Sequence, residues 1–398
     1  MLIKNNKSFY LLSYLLILLA FSYFFLILKH QVGNDSTISE WLINYEGGFT
    51  RRGLVGQLSI EISRLLKIEL RTAILILQLI ICSSYFYVLY NFLKNLPDNR
   101  IIILSIFTPI FIFYPVAEIE VLARKEVILF LSFLLYLSLS ISNPFKTIAF
   151  ILFTCSAILI WEPVIFFFPF IFTYLIIQND IEKFDIKFFK IVFSFIPSLI
   201  ICFFIIFYPL SLEGHQKMEH ILNNEFEELC YMSCSLLRDK STLIQQFKGN
   251  TYSFEILIRY FLIILIGFFP LAYLVKKSKI KNNNLLIIKF LKKKNNIIIL
   301  NFIPVLLLFA MGSDWGRWVN VTYVMTFIIF FKLIIEKKIT LPETKLENNF
   351  FTKISKTQFI IIFLLFSFGW NPKTLMSGDI GSFPGYRVPY KVFKIINN

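Results

Sequence analysis

The feature that most constrains this chain is a series of long apolar stretches that recurs along its whole length. Hydrophobic residues occupy 57% of the 398 positions and 48 of them are Phe, which is more apolar surface than a water-soluble core can bury. Only helices and closed barrels satisfy their backbone hydrogen bonds in lipid, and a barrel would require short alternating strands instead. The sequence therefore predicts an all-α, polytopic integral membrane protein.

The apolar pattern predicts about eleven membrane-spanning helices in one transmembrane domain covering residues 1–398. The expected spans are 9–28, 72–93, 101–116, 127–141, 148–160, 164–177, 188–210, 254–275, 297–311, 319–335 and 358–370. The first span follows Lys4 and Lys7 in the manner of a signal peptide. Its apolar run is too long and no small-residue cleavage site follows, so we expect it to be retained.

The distribution of Lys and Arg predicts the orientation. With the N-terminus in the cytoplasm, most basic residues between the spans lie on the cytoplasmic side, above all in the loops 276–296 and 336–357. The C-terminus is then on the outer, periplasmic side. The net charge of +15 is explained by this topology and by attraction to anionic lipid, and it does not favour a nucleic-acid partner.

The same topology collects on the outer face the charged clusters that depart from the positive-inside trend. They are Asp35, Glu46, Arg51 and Arg52 in the first outer loop (29–71), Glu118, Glu120, Arg124, Lys125 and Glu126 in the second, Glu162 in the third, Asp314 and Arg317 in the fifth, and Arg387 in the tail. One outer site assembled from several loops explains this distribution economically.

The first outer loop has a helical pattern of its own. Apolar residues recur at helical spacing opposite a polar face, namely Leu54, Val55, Leu58, Ile62, Leu65 and Leu66 against Gln57, Glu61, Arg64 and Lys67. This pattern predicts an amphipathic helix lying in the membrane interface. Gly47 and Gly48 allow a tight turn before it, so Arg51 and Arg52 are expected near its N-terminus, where free N–H groups favour a phosphate. Alternatively, both arginines bind bulk phospholipid head groups.

Two further outer segments carry charge between apolar helices. Arg124 or Lys125 can point into a cavity while Glu126 pairs with one of them, although a helix-end salt bridge with snorkelling side chains is the alternative. Glu162 lies between Trp161 and Pro163 at the start of a helix. It is a candidate general base or, equally, a helix cap that complements the dipole.

The segment Asp314-Trp315-Gly316-Arg317-Trp318 is more specific. Asp314 and Arg317 are three residues apart and can pair with each other. Trp315 and Trp318 can stack on a sugar ring or anchor in the interfacial aromatic belt. Anchoring explains the tryptophans but not the two charged residues.

Cysteine and histidine usage predicts no metal site and no cofactor. Cys230 and Cys234 fall in the larger outer loop (211–253), where an oxidising compartment can join them as a disulfide. A Cys-x3-Cys pair without a His partner is a weak metal motif, and the three His residues, His30, His215 and His220, have no ligand spacing. The chain contains no Walker loop, dinucleotide fingerprint or nucleophile elbow.

Four segments together resemble bacterial polysaccharide-assembly membrane proteins, of the O-antigen polymerase type and the wider multi-spanning GT-C glycosyltransferases. They are Trp41–Gly56 (WLINYEGGFTRRGLVG), Leu122–Glu126 (LARKE), Trp161-Glu162-Pro163 and Ser313–Trp318 (SDWGRW). The resemblance implies transfer of a glycan from an undecaprenyl-diphosphate carrier at the periplasmic face of the bacterial inner membrane, most simply in polymerising repeat units of a surface polysaccharide. Other polysaccharide-assembly proteins are further candidate partners. The sequence of residues 1–398 predicts no counterpart of the large soluble C-terminal domain that many GT-C enzymes carry.

The residues themselves suit this chemistry in outline. Stabilising the departing diphosphate requires cations, for which the candidates are Arg51, Arg52, Arg124, Lys125 and Arg317. Accepting the proton of the acceptor hydroxyl requires a carboxylate, for which the candidates are Glu46, Asp35, Glu162 and Asp314. In GT-C enzymes an acid soon after the first span acts as base, and either Asp35 or Glu46 matches that position.

Other functions share the need for a basic site. A transporter or flippase for the same lipid-linked glycan is one alternative, although such proteins place their sites near the midplane and usually contain an internal repeat. A GT-C transferase of a single sugar from a polyprenyl-phosphate donor is another. A scaffold subunit without an active site is the third, and it predicts that the outer charges tolerate single substitutions.

Overall fold

The computed structural model describes residues 2–32, 34–122, 124–139, 145–238, 253–282, 284–286, 294–341, 353–374 and 387–397. Within these ranges, the side chains of 2–7, 32, 119–120, 294–300 and 387–391 are not described. The predicted roles of Glu120 and Arg387 therefore lie outside the described side chains, and most of 239–253 in the larger loop lies outside the described residues.

Helices make up most of the described chain. In the first half they are α1 (Leu2–Val32), α2 (Ser36–Ser39), α3 (Gly53–Leu66), α4 (Leu70–Leu93), α5 (Arg100–Ile106), α6 (Phe113–Ala117), α7 (Ile119–Leu122), α8 (Glu126–Ser138), α9 (Lys146–Ile160), a 3₁₀ helix (Glu162–Phe167) and α10 (Phe168–Gln178). In the second half they are α11 (Ile186–Ser194), α12 (Ile196–Phe207), α13 (Leu212–Phe226), α14 (Met232–Ser235), α15 (Phe254–Lys277), α16 (Lys294–Met311), α17 (Trp315–Ile335), α18 (Lys356–Phe368) and α19 (Arg387–Asn397). Strands β1 (Lys279–Ile280) and β2 (Ile339–Thr340) pair antiparallel.

Five helical segments of the described chain are long and apolar enough to cross a membrane. They are Ser8–Gln31, Leu70–Leu93, Ile186–Phe207, Phe254–Lys277 and Trp315–Ile335. Other apolar helices, such as Lys146–Ile160, are shorter. The expectation of an all-α, membrane-embedded protein is confirmed, and the count of about eleven spans stays a prediction.

The expected span at 101–116 is not a continuous helix. The segment predicted at 101–116 forms two short helices, Arg100–Ile106 and Phe113–Ala117, with a turn between them. In that turn the backbone N–H of Phe111 donates to the carbonyl of Thr108. Hydropathy alone could not reveal this break, because Ser105, Thr108, Pro109 and Pro115 barely interrupt the apolar run.

The chain divides into two compact units, which we describe separately. The first unit comprises Met1–Lys94, Ile119–Ile165 and Phe189–Thr242. In it α1 packs on α4, α4 on α8, α8 on α9, and α9 on α12, while α3 lies against α4 and α9. The short helix α2 contacts α7 and α14. This unit contains the first outer loop of the sequence analysis together with Arg124, Lys125 and Glu162.

The second unit comprises Asn95–Glu118, Phe166–Phe188 and Leu243–Asn398. Its central helix is α17, which is buried along nearly its whole length and packs against α10, α15 and α16. Asn320 on this helix donates to the carbonyls of Ile110 and Phe111, at 2.9 and 3.0 Å, and Tyr323 donates to the carbonyl of Ser105 at 2.6 Å. These bonds satisfy backbone groups where the chain between α5 and α6 is not helical.

The predicted helix of the first outer loop is present as α3, but the face it buries differs from the expected one. Its buried residues are mostly small, including Gly56, Ser59 and Ser63, whereas Leu58, Leu65 and Leu66 are exposed. A Cβ atom on Gly56 would lie 1.9 Å from the carbonyl oxygen of Ile43, so α3 approaches its neighbours as closely as backbones allow. Small residues permit such contact between membrane helices, and the leucines remain available to lipid.

Candidate functional site

The loop before α3 is shaped by its own polar side chains. The amide of Asn44 accepts a hydrogen bond from the N–H of Glu46 and donates to the carbonyl of Leu42, both at 2.9 Å. The N–H of Gly48 donates to the carbonyl of Tyr45 at 2.9 Å, which is the tight turn expected from the paired glycines. Gly48 has φ +122°, a conformation that only glycine adopts readily. The turn directs the chain towards Arg51 and Arg52.

Arg52 is the residue at which α3 begins. It adopts the left-handed conformation, with φ +61° and ψ +13°, and its side chain does not cap the helix. The first backbone N–H groups of α3 therefore have no side-chain acceptor from the capping residue, as expected for an anion-binding helix start. Because a left-handed arginine is uncommon, other contacts must hold this residue in place.

The guanidinium of Arg52 binds Glu162 through two parallel hydrogen bonds. Nε donates to Oε2 and Nη2 donates to Oε1, each at 2.8 Å. This fork geometry is the strongest form of arginine–carboxylate pairing. Glu162 starts the 3₁₀ helix Glu162–Phe167, so the pair joins the first outer loop to the segment that follows α9. The structure thus brings together two residues that are 110 positions apart in sequence.

Arg51 lies beside the same carboxylate but is more exposed. Its Nη1 is 3.8 Å from Oε1 of Glu162, which is an ion pair without hydrogen-bond contact. Its side chain is 41% exposed, against 20% for that of Arg52. Of these two adjacent arginines, Arg51 is therefore the one with donors available to a ligand.

A buried carboxylate that sequence reasoning missed, Glu40, lies between two of the predicted cations. Its Oε1 is 3.9 Å from Nη1 of Arg52 and 3.8 Å from Nη1 of Arg124, and its side chain is 2% exposed. Arg124 also donates from Nε to the hydroxyl of Ser36 at 3.1 Å. The sequence contained one signal for Glu40, namely its position directly before the Trp41–Gly56 segment.

Lys125 is buried within the same cluster. Its Nζ donates to the backbone carbonyl of Arg52 at 2.5 Å, and the residue has no exposed surface. Burial lowers the pKa of Lys125 to about 7, an effect that Arg52 reinforces and that Glu40, Glu162 and Glu126 oppose. The contact with the carbonyl of Arg52 helps to hold that residue in its left-handed conformation.

Seven charged side chains thus converge in the first unit. Arg51, Arg52, Arg124 and Lys125 are the cations, and Glu40, Glu126 and Glu162 are the carboxylates. When every group is ionised, the cations outnumber the carboxylates by one. We call these seven residues the basic cluster. This excess exists while Lys125 is protonated, and a buried excess of positive charge is costly and favours an anionic ligand.

Two of the predicted general bases have other partners. Asp35 caps α2 by accepting from the N–H of Thr37, and it also pairs with Lys29. Burial favours its neutral form, but the hydrogen bonds from Lys29 and Thr37 outweigh this and hold the pKa of Asp35 below its usual value. This is a capping arrangement, and the assignment of Asp35 as base stays a prediction.

Glu46 belongs to a different ionic group at the polar edge of α3. It accepts from Arg64 at 2.7 Å and from Gln57 at 2.9 Å, and these bonds hold its pKa low. Arg64 also forms a fork with Glu225 of α13, at 2.6 and 2.7 Å. Glu46 therefore helps to attach α13 to α3, and its proposed catalytic role stays a prediction.

The segment around Asp314 belongs to the second unit. Arg317 donates to Asp314 at 2.9 Å, which is the pairing expected from their spacing, and its guanidinium lies 5.4 Å from the ring centroid of Trp318. Trp315 donates to the carbonyl of Phe309 at 2.7 Å and packs edge-on against Tyr260. Trp315 and Trp318 are only 6% and 7% exposed, so protein covers both rings in this conformation.

A second carboxylate of this unit, Glu118, binds the segment that follows α18. It accepts from Lys373 and Asn371, each at 3.1 Å, and from the N–H and hydroxyl of Thr374, each at 3.2 Å. The carbonyl of Thr374 in turn accepts from the N–H of Gly316 at 3.3 Å. Glu118 thus fixes this segment beside the start of α17, a role that its charge alone did not indicate.

In the larger loop, Cys230 and Cys234 form a disulfide, as predicted for an oxidising compartment. The expectation that the pair has no histidine partner is wrong. Nε2 of His215 lies 3.4 Å from Sγ of Cys230, because α13 brings His215 back against the loop. Their separation of 15 residues matches no common ligand motif, so spacing could not reveal the contact.

Neither a protein-family model, nor a curated protein, nor a solved structure matches this chain. The fold and the site therefore define the class of protein, and no family is shown. The protein is a helical membrane protein in which four cations and three carboxylates meet at the start of a helix.

Proposed function

We propose that this protein is a glycosyltransferase that takes its glycan from a polyprenyl diphosphate, with Arg51 and the start of α3 contacting the diphosphate. The observation that carries the proposal is the half-exposed side chain of Arg51 beside the more deeply buried residues of the basic cluster. A diphosphate accepts bidentate bonds from arginine and from helix N–H groups. The four-segment resemblance to polysaccharide-assembly proteins supplies the reaction class, and polymerisation of repeat units on undecaprenyl diphosphate at a bacterial inner membrane is its most specific form.

In this reaction the hydroxyl of the acceptor sugar attacks the anomeric carbon of the donor. The bond from that carbon to the diphosphate oxygen breaks, and the diphosphate leaves with the electron pair. Arg51 stabilises the charge that develops on the leaving group. The hydroxyl proton passes to a carboxylate, for which Asp35, Glu46, Glu162 and Asp314 stay the candidates. Glu162 is the one beside Arg51, but although burial raises its pKa, the pairing with Arg52 and Arg51 outweighs this and holds it at about 2, which makes Glu162 a weak base while the fork is formed.

The buried members of the basic cluster position these groups. The fork from Arg52 fixes the orientation of Glu162, and Lys125 holds the backbone of Arg52. The buried carboxylate of Glu40 pairs with both Arg52 and Arg124 and compensates part of their charge. Such fixed charges need not reorganise during the reaction, which is the basis of electrostatic catalysis.

The test uses purified protein in lipid with an undecaprenyl-diphosphate oligosaccharide pool, followed by mass analysis of the glycan lengths. Wild-type protein should produce a ladder spaced by one repeat unit. Arg51→Ala should lower the rate by about 10²–10³-fold, by analogy with the loss of one oxyanion donor. Arg51→Lys should be intermediate because it keeps the charge but loses the fork.

Lys217→Ala is the matched control, since Lys217 is an exposed cation on α13 outside the basic cluster. It should leave the ladder unchanged. Normal activity in Arg51→Ala would contradict the proposed site. An unchanged pool with well-folded wild-type protein would contradict the reaction, and flipping of a labelled carrier would then distinguish transport from scaffolding.

A further inference from the structure

A second cluster of chemically reactive side chains lies outside the basic cluster, where α13 meets the loop before α14. It consists of His215, Cys230 and Cys234, whose potential ligand atoms all lie within 4.8 Å of one another. All three residues are buried, with exposed fractions of 2%, 8% and 0%. Two sulfurs and one imidazole are donors that zinc and other thiophilic cations prefer.

The spacing of the donors already approaches that of a zinc site. Zn–S bonds of about 2.3 Å and Zn–N bonds of about 2.0–2.1 Å at tetrahedral angles place a sulfur and a nitrogen donor about 3.5 Å apart. Nε2 of His215 is 3.4 Å from Sγ of Cys230. To accommodate the ion, the two sulfurs, which are bonded to each other here, would have to separate, and Nε2 of His215 would have to give up its contact of 3.2 Å with the carbonyl oxygen of Cys234.

The surroundings of His215 also fit a ligand. Its other ring nitrogen, Nδ1, is 4.0 Å from a carboxylate oxygen of Glu219, one turn along α13. Metal-binding histidines usually direct their second nitrogen to a carboxylate, carbonyl or water, which sets the tautomer and raises the basicity of the ligand nitrogen.

Contacts outside the cluster hold its backbone in place. Glu228 pairs with Arg71 of α4, and the guanidinium of Arg71 lies 5.7 Å from the ring centroid of Tyr231. The N–H of Ser233 donates to the hydroxyl of Ser39 in α2 at 3.2 Å. These contacts do not depend on the bond between the sulfurs, so the loop should keep its position when that bond is broken.

We propose that His215, Cys230 and Cys234 form a zinc site when the disulfide is reduced. A dithiol supplies two electrons and two protons, so that the disulfide becomes two thiols and the dithiol becomes a cyclic disulfide. Zinc then binds the two sulfurs and Nε2 of His215, and both thiol protons are released. Water fills the fourth position, as in other sites with three protein ligands.

The experiment compares oxidised and reduced full-length protein in detergent. One sample is reduced with a dithiol and freed of it under argon, then both samples are dialysed against Zn²⁺ and their metal content is measured by mass spectrometry. We expect about one zinc per chain in the reduced protein and none above background in the oxidised protein. Bound zinc should also protect Cys230 and Cys234 from alkylation and raise the thermal midpoint.

Substitutions at the proposed ligands and at control residues distinguish a specific zinc site from nonspecific zinc binding. His215→Gln and Cys230→Ser should lose the zinc, whereas His220→Gln, on the exposed side of α13, and Cys155→Ser should keep it. Reduced wild-type protein alkylated before dialysis serves as a folded control should Cys230→Ser fail to fold. Equal zinc content in reduced and alkylated protein, or an unchanged content in His215→Gln, would overturn the proposal.

Discussion

At the scale of single residues, the contrast between Arg51 and Arg52 is the clearest result. The two are identical in type and adjacent in sequence, and the sequence predicts one role for both. In the structure, Arg52 is tied to Glu162 by two bonds of 2.8 Å, while Arg51 only approaches it, at 3.8 Å. The left-handed conformation of Arg52 turns the chain between them, so that their side chains differ in exposure.

We predict that Arg52→Ala destabilises the protein more than Arg51→Ala. The fork between Arg52 and Glu162 is largely buried, and removing one partner of such a hydrogen-bonded pair costs up to about 3–5 kcal/mol. The contact of Arg51 with the same carboxylate is longer, at 3.8 Å, and its side chain is half-exposed, so we expect it to contribute about 0–1 kcal/mol. Thermal unfolding of both variants in the same detergent measures the difference. Equal stabilities would show that the fork on Glu162 is not structural.

Lys125 should give stability a pH dependence of known sign. Its pKa is about 7 in the folded protein against an ordinary value of 10.5, so between these values the unfolded chain binds the proton and the folded protein does not. Stability then rises with pH across this window, because the unfolded state holds more protons. Below about pH 7 the folded protein also holds this proton, and burial of the charged ammonium opposes folding.

The check is the thermal midpoint of wild-type protein minus that of Lys125→Met, measured from about pH 6 to about pH 10. Other titrating groups cancel in this difference, since the substitution leaves them in place. We expect the difference to grow in favour of the wild-type protein as pH rises. A difference that does not change with pH would mean that Lys125 is not buried as described.

At the scale of elements, α3 shows why its pattern predicted the helix but not its packing. The periodicity that identifies a helix does not state which stripe is buried when the surroundings are lipid, because leucine is stable both against protein and against hydrocarbon. Close approach of backbones decides which side of α3 is buried, and that side contains Gly56, Ser59 and Ser63. The proposed anion-binding start of α3 depends on this packing.

Gly56→Ala should therefore destabilise the protein although alanine favours helices. The added Cβ would lie 1.9 Å from the carbonyl of Ile43, so the helix must move, at a cost of about 1–3 kcal/mol. Gly312→Ala is the matched control, since its Cβ would meet its nearest neighbour at 3.5 Å. Unfolding midpoints of the two variants measure the effect, and similar values would argue against tight packing at Gly56.

At the scale of the whole molecule, the charge distribution makes a prediction about topology. The basic loops are expected in the cytoplasm, and the basic cluster on the opposite side. Asp98, after α4, and Lys217, on α13, are both exposed and fall on opposite sides in this topology. They offer sites for a single introduced cysteine.

A membrane-impermeable maleimide should label Lys217→Cys in intact cells and Asp98→Cys only after the membrane is opened. The native cysteines Cys82, Cys155 and Cys202 lie in apolar helices, and unmodified protein measures their background. Labelling of both positions from the same side would contradict the predicted orientation. Protection of Lys217→Cys in intact cells would also move the proposed chemistry to the cytoplasmic face.

The sequence by itself determined the class, because the need to satisfy backbone hydrogen bonds in lipid leaves long apolar segments no alternative to helices. It also identified Arg51, Arg52, Arg124, Lys125 and Glu162 as chemically distinctive, because charge beside apolar spans is costly. Only the tertiary structure decided which charges meet. Glu40 and His215 contact their partners because segments distant in sequence pack together. A local sequence pattern does not show which helices will be in contact.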